Sequence, residues 1–147
     1  MQLERLGRRI EAREELHRTI TLDHDHADAL NYLGYLNAEE SVDLSEAKTM
    51  IERAIRLDPG NGAYVDSLGW VYFKMGNLNK AIEYLEQAAT LLSTDPTIYD
   101  HLGDVYTAHG DVEKAGQAWG KALELNHDLE SVKRKMELMQ HRQAATP

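Results

Sequence analysis

Two imidazoles and three carboxylates fall within six residues at Asp23-His24-Asp25-His26-Ala27-Asp28. These are the ligand types a divalent cation takes, yet a fixed site needs about four ligands in one shell, and no second cluster along the chain completes it. Polar residues are also what a turn between helices requires, so the segment reads as a turn and no metal is expected. His101 and Asp104 share a helical face at a spacing of three. That spacing suits an acid–base pair, but a catalytic one would need a nucleophile and a third, orienting group, so it reads as a surface pair. Neither G-x-x-x-x-G-K-[ST], G-x-G-x-x-G nor H-E-x-x-H occurs, which removes the phosphate-cradling, dinucleotide and zinc-hydrolase signatures. The chain is expected to be no enzyme and to carry no cofactor.

Composition narrows the classes further. The 147 residues suit one domain with a real core. Acidic residues outnumber basic ones 25 to 16, for a net charge of −9, which argues against nucleic acid because phosphate binding needs clustered Lys and Arg. No apolar run is long enough to insert in a membrane, and charges throughout residues 1–20 do not match a secretory signal. The absence of cysteine excludes disulfides and thiolate metal sites.

The elements that position any site are set by a repeat. Ala47, Ala81 and Ala115 lie 34 residues apart, as do Ala54, Ala88 and Ala122, and Ile51, Leu85 and Trp119. Leu68-Gly69 recurs as Leu102-Gly103, and Gly76 as Gly110, at the same interval. Leu33-Gly34 stands 35 residues before Leu68-Gly69, so the first unit carries one extra residue, expected around Glu40–Asp43. Within a unit, apolar residues at spacings of three and four mark one helix through Val65, Leu68 and Tyr72 and a second through Leu78, Ala81, Ile82, Leu85 and Ala88. Gly76-Asn77 breaks the two, and Asp58-Pro59-Gly60-Asn61 separates the units. Asp95 is placed to cap the next helix, with Pro96 in its first turn.

These residues resemble the tetratricopeptide repeat family, whose pattern appears as Tyr99-x2-Leu102-Gly103-x2-Tyr106, Ala115-x3-Trp119 and Ala122. Val65-x2-Leu68-Gly69-x2-Tyr72 and Leu30-x2-Leu33-Gly34-x2-Asn37 repeat it, with Asn37 in place of the tyrosine. The resemblance implies an all-α right-handed superhelix of stacked helical hairpins, a solenoid whose concave groove binds a peptide. Its units would be a partial repeat over 1–26, full repeats over 27–61, 62–95 and 96–129, a capping helix over 130–142 and a disordered tail over 143–147. Met1–Gly7 would be the tail of a mostly missing first helix, as in a piece cut from a longer array. The wording Asp66-Ser67-Leu68-Gly69-Trp70 is similar to bacterial members.

By the same resemblance, groove positions of the first helices fall on Asn31 and Tyr35, on Asp66 and Trp70, and on Asp100 and Asp104, with His101 beside them. Phe73 and Lys74 extend the middle unit's wall. Residues 27–129 hold 17 acidic and 7 basic side chains, and a cleft of one sign captures an oppositely charged partner. The expected ligand is therefore a basic or amphipathic peptide anchored on Trp70 and Phe73, although both rings also suit packing between hairpins. A clamp for the carboxylate of chaperone tails is not expected, because only Asn31 matches its Lys, Arg and Asn set. The alternatives are an accessory region of a larger enzyme or transport component, and self-association through the first hairpin or a Met136/Met139 face, the chain otherwise being a monomer.

Overall fold

The computed structural model describes residues 2–145, with Gln2 and Leu3 described by their backbone alone. Eight helices account for nearly all of them: α1 Gln2–Leu22, α2 Ala27–Glu39, α3 Leu44–Leu57, α4 Gly62–Lys74, α5 Leu78–Leu91, α6 Pro96–His109, α7 Val112–Leu125 and α8 Glu130–Ala145. No strand occurs among the described residues. The pairs α2/α3, α4/α5 and α6/α7 form antiparallel hairpins that stack side by side, with α1 against α2 and α8 against α7.

The breaks follow from local chemistry. Asn61, Asn77 and Asp95 accept backbone N–H bonds at the starts of α4, α5 and α6, and the His26 imidazole does so for α2, which satisfies donors a helix start leaves unpaired. At the hairpin turns Gly76 and Gly110 take φ of 85° and 92°, and their N–H groups bond back to Phe73 and Thr107. Ser41 makes the equivalent bond to Ala38 at φ 53°, and the extra residue falls at Asp43, at φ 45°. Left-handed backbone costs a non-glycine residue roughly 1–2 kcal/mol. Ser41→Gly is therefore expected to raise stability by about 1 kcal/mol, read as a higher urea midpoint at unchanged slope.

Helix pairs approach closely where small residues meet branched ones. A Cβ added at Gly34 would lie 2.7 Å from Ile51 Cγ1, one at Gly69 2.7 Å from Leu85 Cγ, and one at Gly103 2.1 Å from Trp119 Nε1. The largest buried cluster joins the two C-terminal hairpins through Leu85, Ile98, Val105, Trp119 and Val132. Gly120, by contrast, faces nothing within 4 Å. Gly120→Ala is accordingly expected to stabilise α7 by about 1 kcal/mol, a gain that thermal unfolding followed by circular dichroism would register.

Both ends depart from expectation. The break expected after Gly7 is absent, since Gly7 lies inside the continuous α1. The C-terminal helix was expected to end at Arg142 but runs to Ala145, so residues 143–145 of the expected tail are helical, while Thr146 and Pro147 lie outside the described residues. Helix α8 sits where the first helix of a further hairpin would: Val132 stands 34 residues after Ile98, and both are fully buried. Glu137 occupies the place of Gly103 and is exposed. Met136 and Met139, expected as a self-association face, pack instead against the main core cluster, because the apolar side of α8 is what holds it to α7.

Candidate functional site

The inner face of the array is built from α2, α4 and α6. A row of rings crosses it. Tyr35 of α2 lies 6.2 Å from the His101 ring of α6, His101 stacks on Trp70 of α4 at 4.1 Å, and Trp70 meets Phe73 at 4.9 Å. Trp70 is 6% exposed while Tyr35 and Phe73 are half-buried, so Trp70 is packed and lines the groove at once. Its Nε1–H is buried without an acceptor. The Oδ1 of Asn31, on the same face, likewise lacks a donor.

The charged candidates behave differently from expectation. Asp66 is 7% exposed and its Oδ1 lies 2.9 Å from His101 Nδ1, itself 5% exposed. His101 therefore pairs with Asp66 in the interior and is no surface partner of Asp104. Burial works against the charged imidazole, but the adjoining carboxylate more than offsets it, raising His101 above its ordinary value. Asp100 and Asp104 are half-buried, and both accept from Lys135 Nζ of α8, at 2.9 and 3.1 Å. Burial pushes Asp104 above the usual carboxylate range even with Lys135 beside it. Burial likewise opposes the charge on Lys135, and its two carboxylate partners outweigh it, raising the ammonium's value. The acidic wall expected at Asp66, Asp100 and Asp104 is thus bonded internally, because each aspartate meets a basic side chain two helices further along.

One spacing explains both contacts. Asp66 to His101 and Asp100 to Lys135 each span 35 residues, one repeat plus one, so the same inter-unit rung that ties α4 to α6 ties α6 to α8. Lys135, which sequence reasoning missed, is legible as the residue 34 positions after His101.

Beside this rung a cavity of about 640 Å³ opens between the inner face and α8. Of the candidates, Trp70, Phe73, Lys74 and Asp104 line it, whereas Asn31, Tyr35, Asp66, Asp100 and His101 do not. Lys74 holds its Nζ 5.3 Å from the centroid of the Trp70 ring. The remaining wall includes Thr107, Trp119, Leu138 and Met139. Trp119 reads in the sequence as hairpin core, and it is: its Nε1 donates to the Asp100 carbonyl at 3.3 Å while part of the ring faces the cavity.

The polar N-terminal cluster is committed to structure. His26 Nδ1 accepts from Ala29 N, Asp25 pairs with Arg53, and Asp28 accepts the Tyr64 hydroxyl. Burial, then that carboxylate, pushes the Tyr64 phenol up to about 12. Among the described residues no group of three or more His, Asp or Glu side chains is placed to hold a metal ion.

A model of the TPR repeat matches residues 69–110. The TPR repeat-containing protein PA4667 of Pseudomonas aeruginosa is 36% identical over 91 residues, 62% of this chain; the match spans only 15% of that relative's length. The TPR protein TTC0263 of Thermus thermophilus superposes with a TM-score of 0.80 at 21% identity, covering 92% of this chain and 75% of that one. The first TPR of Spaghetti (RPAP3), solved bound to an HSP90 peptide, gives 0.73 at 18% identity, with 81% and 94% covered. Repeat spacing, stacked hairpins and these likenesses agree: the chain is a stack of tetratricopeptide-type repeats, with residues 69–110 matching the family's own model.

Proposed function

We propose that the protein is a non-catalytic scaffold that captures an amphipathic peptide segment of another protein along its inner face. The observation that carries this reading is the row Tyr35–His101–Trp70–Phe73, which crosses three helices and leaves Tyr35 and Phe73 partly exposed. Rings with rigid backing are favoured anchors for apolar side chains. Of the two ligand classes weighed from sequence, the amphipathic one is preferred over the purely basic one, because Asp66, Asp100 and Asp104 are already bonded to His101 and Lys135. A chaperone-tail carboxylate is disfavoured because only Asn31 matches the Lys, Arg and Asn set of such a clamp. Capture of partners on wild-type protein and on Tyr35→Ala/Phe73→Ala, quantified by mass spectrometry, tests the reading. The double variant should keep its helical circular dichroism and lose the partner by about tenfold or more. Full retention of every partner would remove the inner face as the binding surface.

A further inference from the structure

We propose that the cavity between the inner face and α8 is also a site for a small apolar anion, an acyl or aryl body bearing one negative charge. Its volume of about 640 Å³ falls among small-molecule pockets, roughly 300–1,000 Å³. Trp70, Phe73, Val112, Trp119, Leu138 and Met139 supply apolar wall from three helices, so the body of a ligand is held by removing apolar surface from water.

The sign of the ligand follows from the charged wall. Lys74, Lys135, Arg142 and Asp104 line the cavity, in a chain whose net charge is −9. Lys135 is held by both Asp104 and Asp100, so the charge left for a ligand is that of Lys74. Lys74 makes only a ring contact with Trp70, and no carboxylate lies within ion-pair distance of it among the described residues. An ammonium has three N–H donors, so Lys74 can accept a carboxylate without breaking an existing pair. A cationic ligand would meet Lys74 as a like charge and would find Asp104 already engaged. The local preference for an anion thus opposes the field of the whole protein.

That opposition makes the test discriminating, since unspecific adsorption to an acidic protein favours cations. Trp70 and Trp119 are the chain's two tryptophans and both face the cavity, so intrinsic emission reports occupancy. Decanoate, decylammonium and 1-decanol share a chain and differ in charge. Decanoate should give a saturable change in emission with an affinity about tenfold above that of decylammonium. Lys74→Glu should weaken decanoate by about tenfold and leave 1-decanol unchanged, with Lys74→Gln between them and all variants retaining their helical circular dichroism. Decylammonium binding as tightly as decanoate, decanoate binding that Lys74→Glu leaves intact, or no saturable response to any of the three would overturn the proposal.

Discussion

Gly103→Ala is expected to destabilise the array by about 3 kcal/mol. The added methyl would lie 2.1–2.4 Å from three atoms of the Trp119 indole. That ring cannot yield cheaply, because it is 3% exposed and its Nε1 is bonded to the Asp100 carbonyl. At Gly69 the neighbour is the branched end of Leu85 at 2.7 Å, which has rotamers to use, so Gly69→Ala should cost less. For a domain of this size about 3 kcal/mol corresponds to a fall in melting temperature of roughly 6–12 °C. Because Trp119 also lines the cavity, its emission should change in the native state of Gly103→Ala. Equal melting temperatures for wild-type and Gly103→Ala would mean that α6 and α7 are not in the contact described.

Asp66→Ala should have an effect of similar size for a different reason. It leaves the buried His101 without its carboxylate, and removing one partner of a buried pair costs about 3–5 kcal/mol. The pair also gives stability a pH dependence with a definite sign. The folded His101 value is raised above 6.5, so the native state holds a proton that the unfolded chain releases. The contribution is fully present below about pH 6.5 and is lost as pH rises through the folded value. Asp100 and Asp104 of α6 add to the shift in the same direction. Urea midpoints measured from pH 6 to pH 9 should therefore decline for wild-type protein. Asp66→Asn keeps a hydrogen-bond acceptor while removing the charge, and should flatten that decline. A wild-type midpoint that rises over the same interval would contradict the assignment of His101 as the proton-holding partner.

How far the sequence speaks for the structure depends on whether a contact lies within a unit or between units. Columns such as Ala47, Ala81 and Ala115 define the hairpins directly, since every hairpin must bring its two helices together at the same places. The glycines opposite Ile51, Leu85 and Trp119 follow from the same logic. Contacts between units are harder. The polar face of one helix does not say which neighbour meets it, so the aspartates read as an open acidic wall although Asp66 and Asp100 each find a basic side chain 35 residues on. Trp70 combined the two possibilities that sequence kept apart, being packed under His101 and facing the cavity. The C-terminal helix hid its role because it lacks the glycine of a repeat. Its register with α6, through Ile98 and Val132, still marks it as the counterpart of a repeat's first helix. At Ser41 and Asp43 the inserted residue was visible by counting, but its left-handed backbone was not, as neither residue type demands it.

The central claim is that the inner face captures a protein segment, and photo-crosslinking addresses it most directly. A benzoylphenylalanine placed at Thr107, exposed at the cavity edge, is compared with one at Gln87, exposed on α5. The account predicts that Thr107 yields a discrete adduct, which peptide mapping traces to one amphipathic segment of a partner, while Gln87 yields none. Adducts to that segment from Gln87, with Thr107 silent, would contradict it.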